Sequence, residues 1–292
     1  MIRSYYEATA RERIDAILDA RSFRELMPPT ERVVSPHLQA LSLPVAFDDG
    51  VVVGRGAIEG REVLIAAQEG GFMGGAVGEV HGAKIVGVLQ RAIREHLPVV
   101  LLVESGGVRL QEANAGLIAV SEVMRAILAA RSAGVPVVAA IGGQYGCFGG
   151  MGIAVSCSNA IVMSEEGRLG LSGPEVIETA HGVEEFDSHD RALVWRTVGG
   201  KHRYLLGDCM TIVDDEMVEF RGALAASIEA AGPLTLETVE AEHAKLSRRL
   251  ERFGDATDGE DVWRALGWAD PAVVPLADTD VFLTQARLLR AA

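Results

Sequence analysis

The 292-residue sequence predicts an α/β protein: a mostly parallel β-sheet covered by helices, with a helical extension at the C-terminal end. Three observations carry this. Short, unbroken aliphatic runs of the kind found in strands buried on both faces recur at Val51–Val53, Val63–Ala67, Val99–Val103, Val135–Ile141 and Ala160–Met163. Segments with apolar residues at helical spacing lie between them. The connections are short, as parallel βαβ units require.

The elements follow in order. Residues 7–20 read as an amphipathic helix with Ile14, Ile17 and Leu18 on one face. Residues 21–44 contain Pro28, Pro29, Pro36 and Pro44 and read as an irregular arm. A helix over 82–95 places Ile85, Leu89, Ala92 and Ile93 on one side. A second over 110–131 does the same with Leu117, Val120, Met124, Ile127 and Leu128, and stops near Gly134-Val135-Pro136. Beyond about 205 the pattern changes. Residues 212–231 read as helical. Residues 233–253 carry Leu236, Val239, His243, Leu246, Leu250 and Phe253 at 3–4 spacing, with Gly254 as a C-cap; His243 reads as a packed core or interface histidine, and the helix itself suits an interface or the core equally. Residues 254–262 form an acidic loop, and Trp263, Trp268 and Pro271 are expected to dock the tail onto the body. With no internal repeat, the chain reads as a single domain, 1–292, with its core at about 45–205 and the extension at about 206–292.

The net charge of −14 argues against nucleic acid and against an anionic membrane surface as partners. The three cysteines, Cys147, Cys157 and Cys209, form no CxxC pair, which excludes a zinc ribbon and a disulfide framework and points to a reducing, cytoplasmic compartment. The first 18 residues lack an apolar signal core, and no apolar run is long enough to span a bilayer.

Glycine is the most informative residue. Gly106-Gly107 follows one buried run, Gly142 to Gly152 (with Gly149-Gly150 inside it) follows another, and Gly70 to Gly75 follows a third. No GxxxxGK[ST] phosphate loop, GxGxxG site with its acidic residue, GxSxG elbow or HExxH pair occurs. The first N–H groups of a helix have no intrahelical partner, glycine leaves them sterically open, and the helix dipole adds positive potential. Two such groups from two loops can converge on one oxygen as an oxyanion hole, in which a single donor is worth about 3–4 kcal/mol of transition-state stabilisation. Glycines that merely permit tight turns are the alternative for any one pair; two pairs at equivalent strand-to-helix junctions favour function. Cys147, just before a glycine-rich helix start, reads as a buried small hydrophobe, with a reactive thiol as the alternative.

The ordered segments resemble the carboxyltransferase branch of the crotonase-like superfamily. Gly71-Phe-Met-Gly-Gly-Ala-Val-Gly78 followed by Lys84-Ile85, then Ser105-Gly-Gly-Val-Arg-Leu-Gln-Glu112, which is similar to an SGGxRxQE motif, then Gly149-Gly-Met-Gly-Ile-Ala-Val-Ser156, Ala160–Met163 and Gly170-Leu-Ser-Gly-Pro-Glu-Val-Ile177 carry the likeness over about residues 45–205. Glu178 to Gly207 looks closer still to the β subunits of biotin-independent malonate decarboxylases. The absence of any cysteine before Cys147 separates the chain from bacterial acetyl-CoA carboxylase β subunits, which carry an N-terminal zinc ribbon.

The resemblance implies a crotonase-like carboxyltransferase fold of repeated ββα units. It also implies a lyase: decarboxylation of malonyl-S-acyl-carrier protein to acetyl-S-acyl-carrier protein, performed with a γ subunit. No metal and no cofactor bound to this chain is implied, since the substrate rides on the phosphoribosyl-dephospho-CoA arm, a CoA-like group, of the acyl carrier protein. Breaking the malonyl C–C bond leaves an electron pair that the thioester carbonyl takes up as an enolate oxygen. The expected donors to that oxygen are backbone N–H groups near Gly106 and Gly107, with Val108 beside them, and near Gly149 and Gly150. Glu175, in Gly173-Pro174-Glu175, reads as a helix-start carboxylate in preference to a catalytic one. Arg109 reads as a brace of its loop through Glu112. Arg191, Arg196, Lys201 and Arg203, within 13 residues, are the candidate basic patch for the carrier and its arm, against the alternative of a solvated, acid-paired face. Two rival readings stand: a biotin-dependent acyl-CoA carboxyltransferase β-type subunit, and a non-catalytic carrier-binding scaffold.

Overall fold

A computed structural model describes residues 4–290; the outermost residues of the expected 1–292 unit lie outside the described residues. In chain order the elements are α1 (Ala10–Ile17), β1 (Arg24–Glu25), α2 (Pro36–Ala40), β2 (Val51–Ile58), β3 (Arg61–Gln68), α3 (Glu79–Glu95), β4 (Val99–Val103), α4 (Asn114–Ser132), β5 (Val137–Ile141), α5 (Gly149–Ser156), β6 (Ala160–Ser164), α6 (Pro174–His181), α7 (Arg191–Val198), α8 (Gly200–Leu206), β7 (Thr211–Val213), α9 (Met217–Ala230), α10 (Leu236–Phe253), α11 (Gly259–Leu266) and α12 (Thr279–Leu289).

Among the described residues, seven strands form one sheet in sequential order, antiparallel from β1 to β3 and parallel from β3 to β7. Right-handed crossovers between sequential parallel strands place their helices on the same face. Accordingly α3, α4, α5 and α8 join Leu64, Leu101, Ala139 and Ile161 in one core layer. The alternate strand residues, Ile65, Val100, Leu102, Val138 and Val162, face the other way and need a separate cover. That cover is α1 from before the expected core and α9 from after it. The aliphatic runs of β4 and β5 are therefore buried at every residue.

Three departures from expectation have local causes. The strand begun at Val51 continues through Gly54 and Gly56 to Ile58, because Phe23 and Leu18 occupy the space that side chains there would need. Glu59 and Gly60, both with positive φ, then turn it back into β3 as a tight hairpin. Residues 211–213, expected to begin a helix, form edge strand β7 against β6, so the core does not stop at 205. The third concerns α10, which buries none of its residues: Leu236 and Leu250 are both 73% exposed, and His243 is exposed rather than packed. Gly254 ends that helix in ordinary helical conformation rather than the left-handed one. The C-terminal tail does dock: Trp263, Trp268 and Pro271 are buried.

Candidate active site

The site lies where β4 and β5 end. Their carboxyl-end loops, 104–108 and 142–149, run side by side and are stitched rung by rung. Tyr145 N–H donates to Glu104 Oε1 (3.0 Å), Ser105 N–H to the Gly146 carbonyl (2.8 Å), and Phe148 N–H to the Ser105 carbonyl (2.8 Å). The stitching ends at Gly107 (φ +120°) and Gly149 (φ +59°). There the two backbones touch. A Cβ on Gly107 would sit 3.3 Å from Gly149 Cα, and one on Gly149 would sit 3.1 Å from Gly107 Cα. Glycine is required twice at this point, for left-handed backbone and for close approach.

The four glycines do not have equivalent N–H groups, which corrects part of the sequence assignment. Gly106 N–H donates to the Gly74 carbonyl (2.8 Å) and Gly149 N–H to the Leu171 carbonyl (2.9 Å), so both are spent on holding the loops. Gly107 N–H reaches only Ser105 Oγ, at 3.2 Å. Val108 N–H, and Gly150 N–H in the first turn of α5, have no protein partner among the described residues. The Val108 side is fixed by its neighbours, since Val77 N–H donates to the Gly107 carbonyl and Arg109 N–H to the Val77 carbonyl. The glycine run at 70–75 supplies carbonyls and room instead: Gly74 and Gly75 accept from Gly106 N–H and Ser105 Oγ, and a Cβ on Gly75 would collide with the Glu104 carbonyl.

Beneath the first loop lies a buried ionic network. Arg109 Nη1 donates to both Asp49 carboxylate oxygens (3.0 Å each) and to Glu112 Oε1 (2.7 Å), and all three side chains are fully buried. Glu112 Oε2 accepts the N–H of Glu79 at the start of α3 (2.7 Å). Arg109 thus braces its loop through Glu112 and also through Asp49, which the sequence pattern did not mark because Asp48-Asp49-Gly50 reads as an ordinary turn. His81 joins through its own N–H to Asp49 Oδ2 (3.0 Å) and its ring to Gln68 (3.0 Å). Burial, with Arg109 nearby, pushes its pKa down to about 3, so the ring is neutral. Burial raises the Asp49 carboxyl despite Arg109. Burial also opposes ionisation of Glu112, but the Glu79 N–H and Arg109 outweigh it and hold that carboxyl below its usual range.

The expected basic patch is not assembled. Lys201 is buried, with its ammonium on Glu165 (2.9 Å) and on the Pro275 and Ala277 carbonyls, where it anchors the C-terminal tail. Arg196 pairs with Asp258 (2.8 Å) and Arg203 with Asp208 (3.1 Å). Arg191 alone of the four is exposed without a carboxylate partner; it lies over the Trp195 ring. Glu175 is exposed in the first turn of α6, the helix-start position. Cys147 is buried, and desolvation drives its thiol pKa upward, which removes it as a nucleophile. The segments bearing or adjoining the free N–H groups also present apolar side chains to solvent: Leu110 (83% exposed), Ile118 on α4, Ile153 on α5 and Leu171.

Two loops from adjacent parallel strands meet at a glycine helix and leave N–H groups open there. The carboxyl transferase domain model matches residues 5–206, and the chain belongs to that family. It is 41% identical over 99% of its length to the malonyl-S-ACP:biotin-protein carboxyltransferase MADC of Malonomonas rubra, 97% of which is covered. It superposes on a chain of a Pseudomonas malonate decarboxylase hetero-tetramer, solved with malonate, with TM-score 0.81 and 41% identity over 90% of this chain and 97% of that one. A transcarboxylase 12S structure with methylmalonyl-coenzyme A matches at TM-score 0.62 and 28% identity, over 75% of this chain and 40% of that one. The chain is therefore an enzyme subunit of the malonate decarboxylase carboxyltransferase kind. No helix among the described residues is long and apolar enough to cross a membrane.

Proposed function

We propose that this chain is the β-type subunit that cleaves the malonyl group of malonyl-S-acyl-carrier protein, working with a γ-type partner subunit. The observation that carries the reading is the pair of stitched loops. They leave Gly107 and Val108 N–H on one side and Gly150 N–H on the other uncommitted to strong bonds, at the point where the two backbones meet. The malonyl thioester oxygen sits between them. As the bond from the α-carbon to the carboxylate breaks, its electron pair enters the thioester as an enolate, the N–H groups hold the oxyanion, and CO2 leaves. A proton delivered to the α-carbon then gives acetyl-S-carrier. The apolar rim of Leu110, Ile118, Ile153 and Leu171 is the surface for the γ subunit, which closes the cradle and excludes water. Arg191, exposed and uncompensated, remains the cation available to the acidic carrier.

The test is removal of one N–H. A Cβ at residue 150 meets Val120 Cγ1 at 2.7 Å, so Val120→Ala makes room for a proline ring in the first turn of α5, where proline is tolerated. In the complete complex, Val120→Ala/Gly150→Pro should assemble but release CO2 from malonyl-carrier ~10²–10³-fold more slowly than Val120→Ala alone. Equal rates would remove Gly150 as a donor.

A second reading is favoured by the Malonomonas relative, whose name specifies a biotin-protein acceptor. It shares the enolate step and differs only in the fate of the carboxyl group. Avidin added to the purified complex separates them: undiminished CO2 release supports direct decarboxylation, and arrest supports transfer to biotin.

A further inference from the structure

Glu104 is the last residue before Ser105-Gly106-Gly107, and its side chain is buried (4% exposed). One carboxylate oxygen, Oε2, accepts from Arg13 Nη1 of α1 at 2.6 Å; the other, Oε1, accepts the N–H of Tyr145 at 3.0 Å. Arg13 is itself fully buried, held by its Nε on the Tyr5 carbonyl (3.0 Å) and packed over the Tyr5 ring. The carboxylate is wedged tightly: a Cβ on Gly143 would fall 2.5 Å from Glu104 Oε1, and one on Gly70 would fall 2.6 Å from Glu104 Cδ. The Tyr145 bond is the first rung of the cross-loop series. The next two are backbone bonds through Ser105, to Gly146 and Phe148, and the series ends where Gly107 meets Gly149.

We propose that Glu104 is a positioning residue: by bonding Tyr145 N–H from the neighbouring loop while anchored to Arg13, it sets the separation of the N–H groups of the two loops that hold the enolate oxygen. The Ser105 rungs fix the loops close to the glycines. At the strand end, where the second loop leaves β5 through Gly142-Gly143, Glu104 is the link between the two loops among the described residues; further along, Cys147 and Phe148 are buried and the Gln144 carbonyl accepts from Arg168. Without that rung the second loop pivots on its glycines and carries Gly149 and Gly150 away from Gly107. The role of Arg13 is to keep the carboxylate in place. The proposal rests on the oxyanion reading above.

The test compares two double variants in the assembled complex, Arg13→Met/Glu104→Gln and Arg13→Met/Glu104→Leu. Both remove the buried ion pair, so neither leaves a lone buried charge. Glutamine keeps a carboxamide oxygen that can accept from Tyr145 N–H; leucine, apolar throughout, offers no acceptor. The expected result is a kcat at least ~10-fold lower for the leucine variant, with KM and Tm matching the glutamine variant. Equal kcat values overturn the proposal. Hydrogen exchange on the unmodified chain adds a reading that does not depend on the variants folding. Tyr145 N–H should be protected as strongly as the Ser105 and Phe148 N–H groups, and exchange at the rate of an open loop overturns the proposal. Equal CO2-release rates for Val120→Ala/Gly150→Pro and Val120→Ala would instead remove Gly150 as a donor, and with it the two-loop oxyanion hole whose spacing Glu104 is proposed to set, so the two failures are distinguishable.

Discussion

Replacing Arg109 by methionine preserves its bulk and removes its charge. In the native protein the guanidinium makes three hydrogen bonds to two fully buried carboxylates, Asp49 and Glu112, and a longer one to the Asp49 carbonyl (3.3 Å). Loss of one partner from a buried ionic pair costs about 3–5 kcal/mol, because the remaining charge stays buried without compensation. Glu112 keeps the Glu79 N–H and Asp49 keeps the His81 N–H, so the lower end, about 3 kcal/mol, is expected. For a chain of this size that is a fall in Tm of roughly 5 °C at pH 7. The pH dependence distinguishes a lost ion pair from lost packing. The Asp49 carboxyl is already raised by burial, and removing Arg109 raises it further. Between the folded pKa of Asp49 in wild type and its higher folded pKa in the variant, the native variant holds one proton more than native wild type. Its stability relative to wild type therefore recovers by about 1.4 kcal/mol for each pH unit of acidification, and is lost again as pH rises. Calorimetry of both proteins from pH 7.5 to 5 measures the difference. A deficit that stays constant with pH would refute the ionic reasoning, and a Tm within about 1 °C of wild type at pH 7 would refute the network altogether.

Two further outcomes follow from burial. His81 and His202 are both held neutral, with pKa values lowered to about 3, by burial first and then by Arg109 and Arg203 respectively. Between pH 6.5 and 3 the unfolded chain binds the extra protons, so each histidine should cost about 1.4 kcal/mol of stability per pH unit of acidification. His202→Gln should make the wild-type slope shallower, as measured by urea unfolding at stepped pH; an unchanged slope would show that His202 is not neutral in the fold. For the cysteines, Cys147 and Cys209 are buried with thiol pKa values pushed up, to about 12 for Cys209, while Cys157 is half-buried. Mass spectrometry after mild alkylation of the folded chain should find label on Cys157 first. Label on Cys147 at a comparable rate would contradict the buried site.

The sequence by itself determined the central strands of the sheet, because period and composition are local: an unbroken aliphatic run needs no partner to be read as a buried strand, and β4 starts and ends at the expected residues, Val99 and Val103. It also marked the glycine pairs, since a residue without a side chain at a strand-to-helix junction stands out on the page. What it left open was which N–H groups remain available. Gly106 and Gly107 are adjacent and alike in sequence, yet one donates to Gly74 and the other reaches only Ser105 Oγ, and that difference is made by a loop distant in sequence. The basic cluster failed for the same reason: Lys201 looks solvated until the tail at Pro275 and Ala277 closes over it. Likewise α10 carries a core-like stripe, but among the described residues only its C-terminal end, at Phe253, packs on the core, and none of its residues is fully buried. Asp49, His81, Glu104 and Arg13 have no sequence signature at all. A buried charge is tolerated only where folding brings its counter-charge within hydrogen-bond reach, and that pairing is a property of three dimensions.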